Sequence, residues 1–109
     1  MQEEELVPIE INLEDVKSNH LNESFLASFG AQIESMLRVM MGQSAIPYQV
    51  TGKSGDLQAL ASVLGREKRY MESYLKNGLN DASVLRDRHR LEQAVYNFER
   101  ETGIKWPLT

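Results

Sequence analysis

Gly52, Lys53 and Ser54 are the three residues with which a phosphate-binding loop ends. That loop, Gly-x-x-x-x-Gly-Lys-Ser/Thr, grips phosphate with backbone N–H groups and a lysine ammonium. Its first glycine would fall at position 47, which is Pro47. Proline has no N–H to donate and cannot take positive φ. A nucleotide hydrolase also needs an acid at the end of a buried strand to hold Mg²⁺, and no strand pattern follows residue 57. ATP or GTP hydrolysis is therefore excluded as a reading. A weaker role survives, with Lys53 and the amides at a helix start meeting a phosphate or a carboxylate. The plainer alternative is a solvated turn in which Ser54 or Asp56 caps the next helix.

Other catalytic constellations fail on spacing. His20 and His89 stand in no ligand pattern, and the chain has no cysteine, so thiolate chemistry, disulfides and cysteine metal sites are out. The nine serines lack a nucleophile-elbow context. Glu67 and Glu72, or Glu99 and Glu101, diverge on a helix, whereas an acid pair working on one substrate must converge. His89 has Glu92 three residues on, which is ordinary helix-surface pairing. The sequence thus points to no catalytic residue, no metal and no cofactor.

Basic residues offer a different chemistry. Lys53, Arg66, Arg69, Lys76, Arg86 and Arg90, with Tyr70 among them, are the candidates for nucleic acid or another anion. Were helices 55–77 and 82–102 antiparallel, Arg66 and Arg69 would lie toward Arg100 and Lys76 toward Arg86. Glu67, Glu72, Asp87 and Glu92 interleave with these bases, as on a surface that serves solubility. The flanking helices are also long for a compact helix-turn-helix unit.

The elements that position these residues are mainly helical. Asn22 is an N-cap candidate, with Leu21 and Leu26 as a staple, for a helix over 23–41 stopped by Gly42. Phe25, Phe29, Ile33, Met36, Leu37 and Met40 follow helical spacing along it. Gly30 inside it costs roughly 1 kcal/mol against alanine, a cost that close packing would explain. Leu57, Leu60, Ala61, Leu64, Met71, Tyr74 and Leu75 line a second helix over 55–77, with the Lys68 stem laid across the gap. Asn77-Gly78-Leu79 ends it, with Leu79 expected to fold back on Tyr74. Asp81 or Ser83 caps a third helix over 82–102, with Leu85, Leu91, Ala94, Val95 and Phe98 inward. Thr102-Gly103-Ile104 repeats the stop, and Trp106 is expected to pack over that helix. Residues 9–13 alternate apolar and polar, and 46–51 is a second extended segment, so a two-stranded β element is expected beside the helices. The fold class is mainly α, a three-helix domain with a long helical hairpin. Residues 1–6 read as an acidic flexible tail, and 7–109 as one domain.

Whole-chain properties bound the function. The 109 residues suit one domain. No apolar run approaches the roughly 20 residues that span a bilayer, and the acidic start is no secretory signal. Cytoplasmic residence is the expectation. Residues 1–23 carry seven acids against one lysine, and the rest eleven bases against nine acids, so the net −4 sits at the N-terminal end. An acidic chain disfavours non-specific nucleic-acid binding. The soft apolar set Phe25, Phe29, Met36, Met40 and Met41 suits an adaptable interface, and residues 9–13 would add as an edge strand to another protein. The leading expectation is a non-enzymatic interaction or assembly protein that binds copies of itself or another protein. Nucleic-acid binding through the last two helices is the alternative. The segments Arg66–Tyr70, Gly78-Leu79 and Thr102–Pro107 resemble those of small bacterial or phage-borne proteins, a resemblance that implies no function.

Overall fold

A computed structural model describes residues 8–108. The tail expected at 1–6 lies outside them. In chain order the elements are β1 (Ile9–Asn12), α1 (Leu13–Ser18), α2 (Glu23–Met40), β2 (Tyr48–Thr51), α3 (Ser54–Asn77) and α4 (Ala82–Thr102). The fold is mainly α, with a long α3–α4 hairpin and a small two-stranded sheet. The short α1 is an addition to the three expected helices.

The sheet is parallel, with Ile9 opposite Tyr48 and Asn12 opposite Thr51. Ile9 and Ile11 are buried while Glu10 and Asn12 are exposed, the period-two pattern read from the sequence. The strand ends one residue early because Asn12 becomes a helix cap. Its Oδ1 accepts from the Glu14 N–H at 2.9 Å and the Asp15 N–H at 3.4 Å. Leu13 and Val16 then lie one turn apart and are both buried.

Asn22 caps α2 as expected, accepting from the Phe25 N–H at 3.0 Å, a bond worth about 1 kcal/mol. The staple does not form, because Leu21 is 85% exposed. Gly42 follows the helix at φ 77°, the left-handed stop that the sequence indicates. Gly30 earns its place by contact: a Cβ there would lie 3.2 Å from the Pro107 Cβ. The C-terminal segment crosses α2 at that point.

Neither Ser54 nor Asp56 caps α3. The N-cap is Lys53, which makes no side-chain cap bond. Asp56 is instead buried and pairs with the Lys17 ammonium of α1. Being in the first helical turn also favours its negative charge. The hydrogen bond to Asp56 holds the Lys17 ammonium above its ordinary value, against partial desolvation.

The inner stripes of the hairpin differ from the expected ones. Leu60, Val63 and Leu64 are buried in α3, and Val84, Leu91, Ala94 and Phe98 in α4. Ala61, Leu75 and Leu85 are exposed. Gly78 accepts the turn, its N–H bonding the Tyr74 carbonyl at 2.9 Å. Its ψ of 160° carries the chain outward, so Leu79 is exposed rather than folded on Tyr74. The second stop closes as expected: Gly103 is left-handed at φ 73°, and Ile104 is fully buried. Thr102 Oγ1 joins that end, donating to the Phe98 carbonyl and accepting from the Ile104 N–H. Trp106 then packs edge-on against Phe98, with ring centres 5.2 Å apart. One core cluster joins the sheet, α1, the middle of α2, the start of α3, the end of α4 and this C-terminal segment.

Candidate functional site

The Gly52–Asp56 loop is shaped by packing. A Cβ at Gly52 would lie 3.0 Å from the Leu13 Cβ, and one at Gly55 would lie 2.7 Å from a Glu101 carboxylate oxygen. Both glycines therefore admit neighbouring side chains. Lys53 is exposed at the N-cap. Glu101 beside Gly55 puts negative charge at the helix start where an anion would have to sit.

The bases do not gather as the sequence suggested. Arg69 reaches Asp87 across the hairpin, Nε to Oδ1 3.8 Å. Gly55 meeting Glu101 and Arg69 meeting Asp87 fix the antiparallel register. Arg69 thus lies beside the Arg86–Arg90 stretch and not toward Arg100, which the register places at the other end of α3. Arg88 takes Glu92 at 3.3 Å, the acid expected to serve His89. Lys68 takes Glu72 at 3.6 Å. Among the described residues, Arg66, Lys76, Arg86 and Arg90 make no ion pair. Tyr70 is half-buried and tilted against Tyr74, with ring centres 5.5 Å apart. It belongs to an apolar surface more than to the basic one.

The apolar candidates divide by burial. Phe29 and Met36 lie inside the chain's own core, each about 1% exposed. Phe25, Met40 and Met41 are partly exposed. Met41 lines a groove of about 530 Å³ between the end of α2 and the second half of α3. Leu37, Tyr70, Met71, Tyr74, Pro107 and Leu108 supply the rest of its apolar lining, and Glu34, Arg38, Gln43 and Glu67 its polar lining. Met71, Tyr74 and Leu108 are partly exposed in this groove, a position not legible in the sequence, because helical spacing assigns the first two to the core stripe. A second cleft, of about 540 Å³, lies between α2 and the outer face of the sheet and is lined mostly by polar side chains.

Glu67 sits at one end of the groove, with Oε2 accepting from the Trp106 indole N–H at 3.4 Å. Burial raises its carboxyl above the ordinary value, and the indole bond partly offsets this. Glu99 accepts from the Trp106 backbone N–H at 2.8 Å. The two acids thereby anchor the C-terminal segment that forms one groove wall. His20 and His89 are exposed, the former bonded through Nδ1 to the Lys17 carbonyl at 2.9 Å. No group of three metal-ligating side chains converges among the described residues. No helix among them is long and apolar enough to cross a membrane. No family model, curated protein or solved structure matches this chain.

Proposed function

We propose that this chain is a non-enzymatic protein-interaction or assembly protein, and that the α2–α3 groove takes an apolar segment of another protein chain. The observation that carries the reading is the groove lining. Two methionines, two tyrosines and two leucines of the groove form one concave surface at the end of the core. Methionine and tyrosine suit such a contact, since one adapts its shape and the other pairs an apolar ring with a polar tip. Glu34, Arg38 and Glu67 supply a polar rim of both signs. Cytoplasmic residence belongs to this reading and is supported by the cysteine-free composition.

The test is a photo-cross-linking side chain placed at Tyr74, with Gln93 on α4 as control position. The expected result is a discrete adduct at position 74 that Met71→Glu removes while circular dichroism stays unchanged. Equal adducts at both positions, or adducts untouched by Met71→Glu, would sink the reading. Nucleic-acid binding is the second reading, favoured by Arg66, Lys76, Arg86 and Arg90, which make no ion pair among the described residues. It requires comigration with DNA that weakens steeply with salt; no comigration at low salt removes it.

A further inference from the structure

The small sheet has two edges, and they differ. The Ile9 N–H donates to the Pro47 carbonyl at 2.9 Å. With Ile9 opposite Tyr48, this fixes which backbone groups turn inward along the parallel ladder. Ile9 and Ile11 face β2, while Pro47, Gln49 and Thr51 face β1. Glu10 turns outward on the other side, where its carbonyl accepts from the α2 side chain Gln32 at 3.2 Å. The β1 edge therefore meets α2. The open edge is β2. Tyr48 and Val50 point their N–H and C=O groups away from β1, and among the described residues none of these four has a hydrogen-bond partner.

The β2 edge also lacks the charged side chains that usually protect an exposed strand. Its four residues, Tyr48-Gln49-Val50-Thr51, carry no charge. Tyr48, Gln49 and Thr51 are exposed and Val50 is half-buried. Pro47 protects nothing outward, because position 47 turns toward β1 and its missing N–H costs no outward bond.

The pattern is self-complementary. We infer that β2 is a homotypic dimer edge, on which the β2 strand of a second copy pairs antiparallel about a two-fold axis through Gln49. In that register Tyr48 lies opposite Val50 of the copy, and the outward groups of both strands satisfy one another in four hydrogen bonds. Gln49 meets its own symmetry mate as a non-hydrogen-bonded pair, with Cα atoms about 4.5 Å apart. The absence of charge is what lets a strand meet itself without repulsion. The product is a four-stranded sheet. This surface shares no residue with the α2–α3 groove, so the two readings fail separately.

Three measurements on the full chain decide it. Sedimentation should show a concentration-dependent dimer. Gln49→Lys places two ammonium groups opposite each other and should raise the dimer dissociation constant by about fivefold or more. Its thermal melt at low protein concentration should match the parent, because Gln49 is exposed. Gln49→Cys should oxidise to a covalent dimer, since the expected separation falls within disulfide range and the chain holds no competing cysteine. Gln93→Cys on α4 is the control and should cross-link far more slowly. A chain that stays monomeric at high concentration overturns the inference. So does a dimer that ignores Gln49→Lys, or equal cross-linking at positions 49 and 93.

Discussion

Glu67 shows how one side chain ties a groove to the core. Its carboxylate is half-buried and holds the Trp106 indole, yet burial disfavours its charge. The folded carboxyl therefore titrates above the unfolded one. Between those two values the folded state holds more protons, so stability falls as pH rises through that window. Glu67→Gln keeps an acceptor for the indole and removes the charge. At pH 7 the variant should melt at a higher temperature than the parent. Below about pH 4, where the parent carboxyl is protonated in both states, the gap should close. Melting curves at both pH values check this, and an equal gap at both would refute it. Asp56 shows the opposite arrangement, a buried acid matched to Lys17 at a helix start. Its role was invisible in the sequence, because Lys17 is 39 positions away and no local rule pairs them.

At the scale of elements, the hairpin is unevenly supported. The buried residues of α3 are Asp56, Leu60, Val63 and Leu64, all in its first half. At 1.5 Å per residue its 24 residues span about 36 Å, so its second half reaches well past them. Exposed Leu75, Leu79 and Leu85 mark the far end. Amides of residues 70–77 should therefore exchange with solvent much faster than those of 60–67. Hydrogen exchange read by mass spectrometry separates the two segments; uniform protection along α3 would contradict this. The helix boundaries were legible because Asn22, Asp81, Gly42, Gly78 and Gly103 are local signals. The facing of each stripe was less so. Leu85 and Val84 are one residue apart, and a sequence window cannot tell which of two adjacent apolar residues turns inward.

At the scale of the whole molecule, the C-terminal segment locks the fold. Trp106 touches Phe98, bonds Glu67 and Glu99, and is followed by Pro107 packed on Gly30. It thereby joins α2, α3 and α4. Trp106→Ala should cost about 3–5 kcal/mol, a large share of the 5–15 kcal/mol typical of such a domain. Trp106→Phe keeps most of the ring contact and loses the indole bond, so it should cost under half as much. Urea denaturation of both variants gives the comparison. Equal losses would mean that the hydrogen bond, not the buried ring, carries the effect.

The sequence by itself determined the kinds of elements, three of the four helices among the described residues, the caps of α2 and α4, the glycine stops, and the failure of the phosphate loop at Pro47. Each is set by backbone geometry within a few residues. Only the tertiary structure decided the rest. Parallel pairing of β1 with β2 brings together segments 39 residues apart and leaves Tyr48 and Val50 facing outward. The packing of the end of α2 beside α3 leaves Met41, Tyr70, Met71 and Tyr74 around a groove while Phe29 and Met36 are sealed inside. A residue's type gives its affinity for burial, but what covers it depends on which distant segment packs there.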